Sequence, residues 1–188
     1  MTDPGQDLLD RLRLIRSANI GPITYFQLIR RFGTPRAALE AIPELAVRGG
    51  GKAPRLAAIA DIAREVATVE KLGARYLFLG QGLYPPLLAE IDTAPPALIV
   101  RGDLALLERP SVAIVGARNA SAAAIRFARQ LALDLADQGV AVVSGLARGI
   151  DTAAHQGALG GGTIGVIASG IDIAYPPENA ELQETVAT

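Results

Sequence analysis

The chain has 188 residues, half of them apolar, with 18 basic and 19 acidic side chains that leave a net charge of −1. That length buries a proper core in one large domain or two small ones, and the near-neutral balance means that any nucleic-acid site must be local. The absence of cysteine and the single histidine exclude disulfides, thiolate metal sites and thiol nucleophiles, and neither a metal nor a cofactor is expected. No run of eighteen apolar residues occurs, and the charged start MTDPGQDLLDRLRL lacks the apolar middle of a signal peptide, so a cytoplasmic location without membrane contact is expected.

From Asp7 to about Asn19, Leu8, Leu12 and Ile15 recur at helical spacing, and the stretch breaks at Gly21-Pro22, where proline suits a new helix start. The second helix carries Ile23, Phe26, Leu28, Ile29 and Phe32 and ends at Gly33; Thr34-Pro35 then reads as the cap and first turn of a third, through Ala41. Arg55 to Leu72 fits a fourth, with Leu56, Ile59, Ile62, Ala63, Val66 and Val69 as its stripe and Gly73 at its C-terminal end. The domain boundary is placed there: residues 1–72 form an all-helical module and 73–188 an α/β domain.

Two short β-like runs, Arg75–Leu79 and Leu98–Arg101, flank the proline-rich stretch holding Tyr84-Pro85-Pro86 and Ala94-Pro95-Pro96. From Ser111 the pattern is βαβαβ, with apolar strands Val112–Val115, Val140–Val143 and Ile164–Ala168 and helices near Ala122–Gln138 and Thr152–Leu159. Continuous apolar strands alternating with helices specify a parallel sheet covered on both faces. With three strong strands written before Thr188, inside a further helix, the chain reads as truncated relative to a complete domain.

Each of the three strands runs into a small, glycine-bearing turn: Gly116-Ala117-Arg118-Asn119-Ala120-Ser121, then Ser144-Gly145-Leu146-Ala147-Arg148-Gly149-Ile150-Asp151, then Ala168-Ser169-Gly170-Ile171-Asp172, continuing to Tyr175-Pro176-Pro177-Glu178-Asn179. Open α/β sheets bind ligands at this edge, where helix starts offer free N–H groups and the planar guanidinium of Arg118 can grip a phosphate. Asp151 is placed to cap the helix holding His155, and His155 itself reads as a packed, hydrogen-bonded residue rather than a base. Ser121 and Ser144 lack the GxSxG elbow and the partners of a triad, so serine hydrolysis is not supported. The Ile20-Gly21-Pro22 turn, with Arg30, Arg31 and Arg36 nearby, reads equally as a helix-hairpin-helix contact to DNA phosphates and as an ordinary turn with solvated arginines.

Taken together, VAIVGARNAS, VVSGLARGIDTAAHQGAL, TIGVIASGIDIAYPPEN and the upstream YPPLLAEIDTAPPALIVRGD resemble the DprA/Smf family in content, order and spacing. The segment IGPITYFQLIRRFGTPRAAL is similar to the SAM-like or helix-hairpin-helix module that precedes that family's Rossmann-like domain. The resemblance implies a non-catalytic protein that binds single-stranded DNA without regard to sequence, dimerises through the Rossmann-like domain, and hands strands to the RecA recombinase during natural transformation. It assigns the phosphate-binding turn to Gly116, Arg118 and Ser121, the second lip to Ser144, Gly145, Gly149 and Asp151, and the third to Gly170, Tyr175 and Asn179.

Pro110 to Thr188 holds four arginines against seven acidic residues, so this segment by itself gives little electrostatic capture, and exposed aromatics for base stacking are scarce. Two other functions fit the architecture. A nucleotide phosphoribohydrolase of the LOG, or lysine-decarboxylase-like, group has the same kind of sheet, but its PGGxGTxxE signature is missing, and Gly160-Gly161-Gly162-Thr163 reads as a helix-to-strand loop. In the other, the helical module is a protein-interaction SAM domain and the crevice is vestigial.

Overall fold

The computed structural model describes residues 3–48 and 54–188, and the chain divides into two compact units, residues 1–98 and 99–188. The first opens with α1 (Pro4–Arg16), α2 (Pro22–Phe32), α3 (Pro35–Arg48) and α4 (Ile59–Lys71). Helix α1 starts earlier than periodicity alone indicates, because Asp3 caps it by accepting the Gly5 N–H and Pro4 occupies its first turn. Helix α3 begins as read, with the Thr34 hydroxyl accepting the Ala37 N–H, but runs past Ala41 through Pro43 to Arg48. Proline in a helix interior removes one hydrogen bond, and the turn before it is held by buried Ala38, Leu39 and Ile42.

Helix α4 starts at Ile59 rather than Arg55 for an identifiable reason. The backbone of the preceding stretch bonds to the end of α1: Ala18 N–H to the Arg55 carbonyl, Ala57 N–H to the Ser17 hydroxyl, and Arg13 Nε–H to the Ala57 carbonyl. Those groups are then not free for a helical ladder. Of the expected stripe, Ile62 and Val69 are buried while Ile59 is exposed. The core joins Leu14, Tyr25, Ala38, Leu39 and Ile42, with each buried leucine or isoleucine contributing about 1.5–3 kcal/mol.

Strand β1 (Arg75–Phe78), the single turn α5 (Pro86–Ala89) and β2 (Ala97–Val100) follow, and the proline-rich loop is pinned by the Tyr84 hydroxyl donating to the Pro95 carbonyl at 2.8 Å. Glu65 ties α1, α4 and β1 together: it accepts from Arg16 Nε and Nη2 at 3.0 and 2.8 Å and from the Tyr76 hydroxyl at 3.0 Å. Burial opposes its charge, but the Arg16 pair and the Tyr76 hydrogen bond outweigh it and hold the carboxyl below its ordinary pKa.

In the second unit, a 3₁₀ turn (Leu104–Glu108) leads into β3 (Ser111–Ala113), α6 (Ala122–Asp137), β4 (Ala141–Ser144), α7 (Ile150–Ala158), β5 (Thr163–Gly165) and, after a second 3₁₀ turn over Pro177–Asn179, α8 (Ala180–Val186). The sheet is parallel with order β3-β4-β5, in the register Val112 to Val142 and Val143 to Ile164. Helices α6 and α7 pack on one another and on β4. Gly157 makes that approach possible, since a Cβ there would lie 2.2 Å from the Arg129 carbonyl oxygen; Ala128, Ala132, Ala136, Ala154 and Ala158 extend the small-residue seam. Successive right-handed crossovers in this strand order put both helices on the same face. Helix α8 packs on β5 and on α7, and Val115 and Val166, just beyond the ends of β3 and β5, are 74% and 59% exposed. No helix among the described residues is long and apolar enough to cross a membrane.

His155 is fully buried under the sheet, as expected of a packed residue. Its Nδ1 lies 2.8 Å from the Thr163 hydroxyl, which gives its one proton to the Val142 carbonyl, so Nδ1 carries the proton and donates. Burial pushes its pKa below the ordinary histidine value, outweighing the attraction of Asp151.

Both units lose stability as pH falls, over different ranges. The unfolded chain protonates His155 more readily than the folded one, so this contribution to stability is complete above about pH 6.5 and declines as pH falls below it. Thermal melts across that range show the dependence in the wild type and lose it in His155→Gln. Glu65→Gln destabilises the first unit by about 1 kcal/mol at neutral pH, and the gap to wild type closes as Glu65 itself protonates below about pH 4.5.

Candidate nucleic-acid interface

The carboxyl ends of β3, β4 and β5 release the chain into three turns at one edge of the sheet, and side chains from neighbouring elements hold those turns together. In the first, Gly116 and Arg118 are exposed, and among the described residues Arg118 pairs with no carboxylate. Ser121 closes this turn as the cap of α6, its hydroxyl accepting the Ala124 N–H at 3.2 Å.

The second turn is the most constrained. Ser144, only 3% exposed, donates to the Ile114 carbonyl at 2.7 Å and so ties β4 to β3. Asp151 does not cap its own helix, as the sequence suggested. It sits one residue inside α7, where helical side chains lean toward the N-terminus, and its Oδ2 accepts the Gly145 and Ala147 N–H groups at 3.1 and 3.4 Å. Leu146 is buried with φ of 55°, a left-handed backbone that a branched residue holds only when its surroundings insist on it. Its carbonyl accepts Asn179 Nδ2–H at 2.8 Å, and the same amide reaches the Thr152 hydroxyl at 2.9 Å. Thr152 in turn donates to the Ala147 carbonyl at 2.7 Å.

Gly149 joins this turn to the first. Its φ is +78°, a Cβ there would lie 2.3 Å from the Ala117 carbonyl oxygen, and the next N–H, of Ile150, donates to that oxygen at 3.3 Å. In the third turn Gly170 is exposed and Tyr175 is 67% exposed, while Asn179 is buried in the second. Ser144, Asp151 and Asn179 thus spend their polar groups on the protein and build the turns. Of the residues selected from the sequence, Gly116, Arg118, Ser121, Gly170 and Tyr175 face solvent, as does a residue given no role there, Arg148, whose Nη2 lies 2.7 Å from Glu178 Oε1. The signal available for Arg148 was its place in a turn whose neighbours were already selected.

In the helical unit the Ile20-Gly21-Pro22 turn starts α2 without a side-chain cap. Arg36 pairs with Glu40 at 3.2 Å, and Arg31 lies over the Phe32 ring. A hollow of about 360 Å³ beside this turn is lined by Asn19, Ile20, Leu28, Ile42 and Pro54 among others. Among the described residues no group of three or more histidine or acidic side chains is arranged to hold a metal.

Residues 75–188 match the family model described as DNA recombination-mediator protein A, and residues 5–68 the DprA-like N-terminal HHH domain. The DNA processing protein DprA of Streptococcus pneumoniae is 45% identical over 105 residues, 55% of this chain and 37% of that protein. Protein Smf of Synechocystis is 42% identical over 110 residues, 55% of this chain and 28% of that protein. The matched segments span well under half the length of these relatives. The X-ray structure of DprA from Streptococcus pneumoniae superposes on the whole chain with a TM-score of 0.73 and 25% identity, covering 65% of that chain. A structure of DNA processing protein A from Helicobacter pylori, described for its single-stranded DNA binding mode, covers 60% of this chain and 52% of that one, with a TM-score of 0.53 and 32% identity.

Gly149→Ala combines a disfavoured φ with a backbone overlap, and is expected to lower the stability of the second unit by about 2 kcal/mol or more. Chemical denaturation measures it; a loss within 0.5 kcal/mol would mean that the contact between the first two turns is loose.

Proposed function

The chain belongs to the DprA/Smf family of DNA recombination-mediator proteins, and from that premise we propose that its second unit binds the phosphate backbone of single-stranded DNA in the crevice formed by Arg118 and the three turns. The observation that carries this reading is the convergence of the turns: Gly149 against Ala117, Asp151 on Gly145, and Asn179 on Leu146 leave a rigid rim bearing Arg118, unpaired among the described residues. A preorganised rim with a free guanidinium suits a strand of repeating phosphates, and recognition through phosphates is indifferent to base sequence. Exposed Tyr175 offers one stacking face.

The Helicobacter pylori relative, described for binding single-stranded DNA, supports the same substrate here. In this reading Gly116, Ser121, Ser144, Gly145, Gly149, Asp151, Gly170 and Asn179 shape the crevice, and no reaction is catalysed. The helix-hairpin-helix module before residue 73 adds phosphate contacts through the start of α2. A cytoplasmic homodimer that passes bound strands to the RecA recombinase during DNA uptake is the cellular role that the family membership favours.

Titration with a fluorescent single-stranded oligonucleotide and its duplex at two salt concentrations tests this. Binding prefers the single strand, weakens as salt rises, and weakens by about 1–3 kcal/mol in Arg118→Ala without loss of fold. Unchanged affinity in that variant overturns the site, and turnover of nucleotides to free bases overturns the non-catalytic assignment.

A further inference from the structure

We infer that Glu178 is a built-in counter-ion of the crevice: it holds Arg148 at the rim in the free protein, and a strand phosphate takes its place on binding. This rests on the proposed site and adds to it a second arginine, one whose availability is controlled. Arg148 directly precedes Gly149, whose backbone packs on Ala117 and Arg118, and Glu178 directly precedes Asn179, whose amide is anchored on Leu146 and Thr152. The Arg148 backbone is thereby fixed next to the turn that carries Arg118, and the Glu178 backbone next to the turn that carries Arg148. The two side chains reach out from them and meet at 2.7 Å in a pair that is 60% and 64% exposed.

An exposed pair of this kind contributes no more than about a fivefold factor, so opening it is easy and needs no backbone movement. A phosphodiester is a well-matched competitor, because its oxygens accept the same two parallel N–H bonds from a guanidinium as a carboxylate does. Until Glu178 swings away, it neutralises Arg148 and repels the phosphate that would lie there. Arg118 has no such partner among the described residues, so one rim arginine is always open and the other is released only by a ligand strong enough to displace a carboxylate. The pair therefore sets the affinity of the crevice, holding it below what its two arginines could give.

The test is a double-mutant cycle read by titration of the full chain with a labelled oligothymidylate, alongside Arg118→Ala. Glu178→Gln is expected to tighten binding about two- to fivefold, Arg148→Ala to weaken it, and Glu178→Gln to have no effect once Arg148 is alanine. A gain that persists in the Arg148→Ala background reports simple removal of a distant negative charge and overturns the inference, as does an unchanged affinity in Glu178→Gln. Loss of binding in Arg118→Ala together with a silent Glu178→Gln sinks the counter-ion and leaves the site standing. An intact cycle with a silent Arg118→Ala retains the pair and removes Arg118 as the anchor, and silence in all variants removes both.

Discussion

The rest of the second unit depends on how the backbone between Gly145 and Gly149 is held. That turn leaves a buried strand, contains a left-handed Leu146, and must satisfy its polar groups away from bulk water. Asp151 takes the N–H groups of Gly145 and Ala147, Thr152 takes the Ala147 carbonyl, and Asn179 takes the Leu146 carbonyl. Three residues from two elements thus impose one conformation on five. Because Asn179 comes from the third turn and Gly149 touches the first, the same bonds that fix the middle turn also fix its neighbours.

The placement of α7 is what brings those anchors within reach. Gly157 and the alanines along α6 and α7 let the two helices approach at backbone distance, so α7 sits close over β4 with Asp151 and Thr152 aimed at the turn. His155, one turn further along, uses the same closeness to bond Thr163 on β5. A larger residue at 157 would lift the helix and loosen the site from a distance, through packing alone. Polar residues that look chemical in the sequence are, in this unit, mostly fasteners.

Electrostatics at the proposed crevice are correspondingly local. Pro110 to Thr188 carries more acid than base, yet Arg118 and Arg148 stand on touching turns at its rim, one unpaired among the described residues and one paired with Glu178. Net charge therefore says little about the crevice; what matters is which arginines are free and how firmly their backbones are held. The helical unit solves a different problem, using Glu65 between Arg16 and Tyr76 to join two helices and a strand around a partly buried charge.

Much of this was legible in the residues themselves. Helical spacing from Leu8 to Ile15, Gly33 with Thr34-Pro35, and the apolar strands separated by alanine-rich helices set the element types, because periodicity and caps act within a few residues. The turns and Arg118 were legible for the same reason, as glycine-bearing exits from apolar strands. Tertiary contacts decided the rest. Helix α4 starts late because residues 55–57 bond to the end of α1, α3 continues through Pro43 over a buried core, and the strand order β3-β4-β5 is set by packing between segments far apart in the chain. Asp151 and Asn179 became anchors, and Arg148 a rim residue paired with Glu178, through partners up to thirty-three positions away. The sequence by itself determined what each segment can form, since that follows from neighbours along the chain; only the tertiary structure decided which polar groups stay free to meet a ligand, since that depends on partners brought together by packing.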